Sequence, residues 1–249
     1  RKKVWQQNIL HHKESNYETK RLFLKVRDGK KVPVSLIYKK GINLEKAPLL
    51  QYGYGSYGLI VEPSFKLSFM PLIDLGFVLI IAHIRGGQDL GKSWYDQGKM
   101  LNKMNTFTDF IDCTKALLKL NIGSKKNIFA MGGSAGGLLM GVIMNLEPTL
   151  YRGIVSAVPF VDVLTTMSDE SIPLTTFEYD EWGNPAKRKE YLYMKKYSPY
   201  DNIDFKPYPA VLVTSSLFDS QVQYFEPAKY VPKLREHTTS ENPILLKMN

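Results

Sequence analysis

Short apolar runs rich in β-branched residues recur along the chain, and between them apolar positions fall at helical spacing. The first pattern suits buried strands and the second suits helices lying on them, so their alternation predicts a mostly parallel α/β sheet. Residues 21–26 (RLFLKV) and 32–38 (VPVSLIY) flank the turn signal DGK and predict an opening hairpin. Further strands are expected at 48–52 (PLLQY), 77–82 (FVLIIA), 127–131 (NIFAM), 153–158 (GIVSAV) and 210–214 (AVLVT), and a last one at 244–248 (ILLKM). Helices are expected over 106–120, with Thr106 as N-cap and Asp109 three residues on, over 135–146, and over 225–236. No Gly/Ser/Pro-rich linker, charge block or repeat interrupts this order, which favours one domain over residues 1–249.

Composition narrows the picture. A chain of 249 residues with 44% hydrophobic and 23% charged positions can bury a large core and is not of a disordered class. Its one cysteine, Cys113, excludes an internal disulfide and suits a reducing compartment, so a cytoplasmic location is expected. On the helix over 106–120 that thiol is expected to be buried and inert. No apolar run approaches the roughly 20 residues needed to cross a bilayer, and no membrane partner is expected. A net charge of +9 raises the question of an acidic partner, but lysines and arginines are spread out, with no run longer than the three at residues 1–3. This predicts a solvated basic surface and no nucleic-acid partner. No His/Cys/Asp/Glu cluster has metal-ligand spacing, so neither metal nor cofactor is expected.

The candidate chemistry lies between the strand at 127–131 and the helix at 135–146, where Gly132-Gly133-Ser134-Ala135-Gly136 fits G-x-S-x-G. A sharp strand-to-helix turn lifts the serine oxygen clear of the sheet, and the helix start aims free N–H groups at the same point, where an oxyanion would develop. A glycine-rich turn alone could equally be a plain N-cap; the strand-turn-helix setting favours a nucleophile at Ser134. A rival pattern, Gly53-x-Gly55-x-x-Gly58, matches a dinucleotide-binding loop. There a helix should begin at the third glycine and an acidic residue should end the next strand. Here Pro63 interrupts the first and His83-Ile84-Arg85 replaces the second. The loop after an early strand instead suits the second half of an oxyanion hole, with Tyr54 as a phenol donor, or simple packing of Tyr52, Tyr54 and Tyr57.

The stretches YGYGSYG, AHIRGGQDLGKSWYDQGK, NTFTDFIDC, GGSAGGLLMG, VPFVDVLTTMSDESIPLTT, EWGNP, YSPYDN and LFDSQVQYFEPAKY span nearly the whole chain. In content and order they resemble the catalytic domain of the oligopeptidase B group within the prolyl oligopeptidase family of serine peptidases. The resemblance implies an α/β-hydrolase fold capped by a β-propeller, here expected before Arg1, that admits only short peptides. It further implies Ser134 as nucleophile, Asp219 as triad acid, the Ala135 N–H and the Tyr54 hydroxyl as the oxyanion hole, and cleavage after Lys or Arg. Glu178 and Asp180 match the carboxylates that direct that cleavage. In an extended segment residues two apart share a face, so these two could converge on a guanidinium; the alternative is a solvated acidic turn. Phe177 departs from the small residue usual in the family, and Gln221 stands where prolyl-cleaving relatives carry an arginine.

The general base is missing from this arrangement. Hydrolases of this fold order their triad serine, acid, histidine. His11, His12 and His83 precede Ser134, and only His237 follows Asp219, before the final strand rather than after it. His237 is expected to be a surface residue near a helix C-terminus. The resemblance implies a histidine shortly after a segment like ILLKMN, so the base is expected past Asn249 and the 249-residue polypeptide alone close to inactive. A non-catalytic interaction module and an esterase of the same fold remain open. His83 and Arg85 are expected to brace loops near the site.

Overall fold

The computed structural model describes residues 13–249. His11, His12 and the basic run at 1–3 lie outside the described residues. Eight strands form one sheet in the order β1-β2-β4-β3-β5-β6-β7-β8. In chain order they are β1 (Tyr17–Lys25), β2 (Lys31–Lys39), β3 (Leu49–Tyr52), β4 (Val78–Ala82), β5 (Ile128–Gly133), β6 (Gly153–Ala157), β7 (Ala210–Ser215) and β8 (Ile244–Met248). The hairpin β1–β2 and the pair β2–β4 are antiparallel, and every later pairing is parallel. Each strand expected from the sequence is present within two residues at its ends, apart from the longer start of β1.

The helices are α1 (Met70–Asp74), α2 (Lys92–Asp96), α3 (Met104–Lys119), α4 (Ala135–Leu146), α5 (Val163–Ser168), α6 (Tyr179–Trp182), α7 (Arg188–Lys195) and α8 (Phe225–His237). Both faces of the sheet are covered, which is why its central strands read as continuous apolar runs. Leu49 and Ile128 point into a large core with Phe107 and Phe110 of α3, Leu138 and Leu139 of α4, and Tyr230 and Leu234 of α8. The alternate residue Leu50 points to the other face, where Met70 and Ile73 of α1 cover it. Each such fully buried side chain stabilises the fold by about 1.5–3 kcal/mol.

Two helical details differ from expectation. Thr106 does not cap α3, which begins two residues earlier after Lys103 without a side-chain cap. The Thr106 hydroxyl instead donates to the carbonyls of Arg85 and Gly98, and Asp109 accepts from Arg85 Nε and Nη2 at 2.8 and 2.6 Å. Residues that look like a local cap are tertiary ties to the loop after β4. Helices α1, α2 and α5 to α7 run four to eight residues, too short for their apolar positions to show a period in sequence.

Parallel strands send their carboxyl ends to one edge, so the loops after β3, β5 and β7 gather there. These loops carry Tyr54, Ser134 and Asp219.

Candidate active site

Ser134 stands between β5 and α4 with φ 57° and ψ −118°, a left-handed conformation that costs a side-chain-bearing residue about 1–3 kcal/mol. Its surroundings hold it there: its amide donates to Ala157 O at 2.9 Å, and its carbonyl accepts from the amides of Gly137, Leu138 and Phe160. The turn also depends on glycine. A Cβ at Gly132 would lie 2.3 Å from Gly136 O, and one at Gly137 would lie 2.5 Å from Pro159 Cα. The serine is half-buried and its side chain makes no cap bond to its own helix. The first amide of α4, that of Ala135, finds no acceptor among the described residues.

A cavity of about 220 Å³ adjoins the serine. Tyr54, Tyr57, Ala135, Phe160, Glu178 and Glu226 are among its walls, with Met167, Ile172 and Val222 supplying apolar surface. Burial raises the pKa of the Tyr54 phenol, and its interaction with the Ser134 side chain acts against that rise, so the phenol stays protonated and able to donate. Asp219 lies in the loop after β7, where Oδ1 accepts from the amides of Gln221 and Val222 at 2.9 and 3.0 Å. Gln221 and Val222 themselves line the cavity, which brings the acid's loop to the serine, while Asp219 is not one of its walls.

Glu178 and Asp180 do not pair as expected. The segment is not extended: Thr175–Glu178 is a 3-10 turn that runs directly into α6, entered through Leu174 at φ 78°. Residues two apart on a helix point to roughly opposite sides, so Glu178 faces the cavity and Asp180 is exposed outside it. Glu178 Oε2 is fixed by Tyr57 Oη at 3.0 Å and Trp182 Nε1 at 2.6 Å. Phe177 is 85% exposed and does not enter the cavity, so its bulk leaves the depth of the cavity unchanged.

Behind Glu178 lies a network the sequence did not reveal. Glu181 accepts from the Tyr57 amide at 3.1 Å, from Tyr95 Oη at 2.7 Å and from Lys103 Nζ at 3.4 Å. Lys103 also donates to Gly55 O and Ser56 Oγ, each at 2.7 Å, and lies over the Trp182 ring. Burial pulls the Lys103 pKa down to about 8, partly offset by the Glu181 charge. Breaking a buried pair strands the remaining charge, so Lys103→Met is expected to destabilise the fold by about 3–5 kcal/mol, read as a lower urea midpoint with unchanged slope. A midpoint within experimental error of wild type would show that the ammonium contributes nothing.

His83 and Arg85 brace loops, as expected. Arg85 joins Asp28 in the β1–β2 turn to Asp109 on α3. His83 Nδ1 meets Asp89 at 2.6 Å and Nε2 meets Ser35 Oγ at 2.9 Å, an arrangement that superficially looks like a second triad. It is not a working base, because Arg21 Nη1 sits 2.7 Å from the same Nε2 and occupies the lone pair that a serine proton would need. His237 accepts no role at the serine either: Nδ1 lies 2.9 Å from Lys233 O and the ring stacks on Phe205. The helix α8 has by then carried the chain back to the opposite edge of the sheet, ahead of β8.

Residues 63–249 match the family model described as the prolyl oligopeptidase family. Among curated proteins, the chain is 52% identical to dipeptidyl aminopeptidase BI of Pseudoxanthomonas mexicana, a match covering all of this chain and 35% of that protein. It is 49% identical to protease 2 of Moraxella lacunata, covering 94% of this chain and 34% of that one. Among solved structures it resembles oligopeptidase B of Trypanosoma brucei with covalently bound antipain, at 46% identity and TM-score 0.94, covering 96% of this chain and 34% of that one. The chain therefore spans about a third of the length of the relatives it matches.

Proposed function

Because the chain belongs to the prolyl oligopeptidase family, we propose that it forms the catalytic domain of a serine peptidase that cleaves short peptides after lysine or arginine. The observation that carries this reading is a strained, accessible Ser134 at the mouth of a cavity whose wall presents the fixed carboxylate of Glu178. Ser134 Oγ attacks the scissile carbonyl while the Tyr54 phenol and the Ala135 amide stabilise the oxyanion. A histidine oriented by Asp219 takes the serine proton and returns it to the leaving amine.

We place that histidine in sequence following Asn249. Support comes from the end of β8, where the Asn249 amide donates to Ser215 O at 3.0 Å and the Leu217 amide donates to Asn249 O at 3.2 Å. Sequence leaving Asn249 is thus delivered beside the loop that holds Asp219. A propeller preceding this domain would close over the cavity and limit substrates to short peptides.

The test compares arginyl and leucyl peptide amides, and an arginyl ester, with the full-length protein and with the 249-residue polypeptide. The full-length protein is expected to favour the arginyl amide by ~10²-fold or more in kcat/KM. The polypeptide alone is expected to retain only a residual rate of about 10³–10⁴ over the uncatalysed reaction. Brisk turnover by the polypeptide would place the base among its own histidines, and hydrolysis of the ester without the amide would make the protein an esterase.

A further inference from the structure

The chain carries a net charge of +9, yet among the described residues no lysine or arginine lines the cavity beside Ser134. Its lining carboxylates are Glu178 and Glu226. Glu226 is the second residue of α8, lines the cavity and is only 1% exposed. Resting on the peptidase reading above, we propose that Glu226 is a specificity-determining carboxylate of this cavity, acting with Glu178 on the cationic side chain of the substrate.

Hydrogen-bond accounting supports this. A carboxylate offers about four acceptor sites. On Glu226, Oε2 accepts from the amides of Val161 and Asp162 at 2.6 and 3.0 Å, and Oε1 accepts from the Thr166 hydroxyl at 2.6 Å. One acceptor site on Oε1 is left over, and Thr166 lines the cavity with it. The three donors hold the group in place without satisfying it, the condition in which a guanidinium or ammonium gains most. Asp180, which from sequence was the natural partner of Glu178, is turned out to solvent.

The charged groups facing Glu226 are few. Asp162, at the start of α5, lies beside it and is ion-paired with Lys229 of α8. Glu178 stands on the 3-10 turn across the cavity, and Asp219 lies on the loop leading into α8. Burial pushes the Glu226 carboxyl up to about 7; the donated hydrogen bonds oppose the rise and the Asp162 charge adds to it. The group therefore ionises near neutrality. A bound cation favours the ionised form, so affinity for a cation should rise as pH rises through 7. If only the ionised form binds, its fraction grows from about 0.09 at pH 6 to about 0.91 at pH 8, a gain of about tenfold.

The experiment uses the full-length protein, with matched amide substrates carrying arginine or its uncharged isostere citrulline, and benzamidine as a cationic probe. In Glu226→Gln, kcat/KM for arginine is expected to fall at least tenfold while that for citrulline stays within twofold, and the pH dependence of benzamidine affinity between 6 and 8 should flatten. Equal losses on both substrates would mean that Glu226 only holds residues 158–162 in place, and the proposal falls. Wild-type preference left intact in Glu226→Gln also overturns it, leaving the peptidase reading standing. If wild type itself treats arginine and citrulline alike, both readings fall. Should Glu226→Gln not fold, Thr166→Ala decides: loss of the hydroxyl donor should move the midpoint of the benzamidine profile to higher pH, and an unmoved midpoint is the overturning result.

Discussion

Ser134→Ala in the full-length protein is expected to lower kcat on an arginyl amide by on the order of 10⁵- to 10⁶-fold, with KM within about twofold of wild type. The hydroxyl is the group that forms the acyl bond, and the oxyanion donors alone leave only a residual rate. The structure isolates this loss to chemistry. Ser134 is held by its backbone, through Ala157 O and the amides of Gly137, Leu138 and Phe160, none of which needs the side chain. Its hydroxyl makes no cap bond in α4. Alanine carries the same Cβ at φ 57°, so the strain is unchanged and the thermal midpoint should shift by no more than about 1–2 °C. A variant that folds normally and keeps more than a tenth of the activity would show that Ser134 is not the nucleophile.

What the sequence made legible followed from how local each signal is. Strands β3 to β6 have no exposed position, and their apolar runs are visible without any knowledge of neighbours. The helix α4 could be placed at Ala135–Leu146 because glycines mark its start and its residues up to Asn145 are all buried. The site resisted where conformation depended on distant partners. Glu178 and Asp180 were expected on one extended face, but Leu174 at φ 78° begins a helical turn, and the Tyr57 hydroxyl and Trp182 indole fix Glu178 in it. Nothing in PLTTFEYDEW announces that turn. Glu226 reads in sequence as an acid in the first turn of a helix, where such residues are common. Its partners Val161, Asp162 and Thr166 lie about 60 residues away, so only the folded chain reveals it. Lys103 and Glu181 are hidden for the same reason, one just before α3 and the other in α6.

Tyr54→Phe is expected to lower kcat by about 10²–10³-fold while KM changes little, the signature of a donor that acts only once negative charge has formed. The substitution removes one oxygen and leaves the ring, whose packing against Tyr57 at 6.3 Å between centroids does not involve the hydroxyl. The loop after β3 that positions it is held independently: the Gly53 amide donates to Met131 O, and Lys103 donates to Gly55 O. A Cβ at Gly136 would come within 3.0 Å of Gly53 O and 3.5 Å of Tyr54 Cδ2, so the loop lies directly against the start of α4. Tyr54, Ser134 and Ala135 accordingly line one cavity. Because burial keeps the phenol protonated, its donation persists well above neutral pH, and the ratio of wild-type to Tyr54→Phe rates should stay constant from pH 6 to 9. A ratio that varies with pH in that range would mean that Tyr54 exchanges a proton during the reaction. An equal rise in KM and fall in kcat/KM, with kcat unchanged, would make it a ground-state binding group instead.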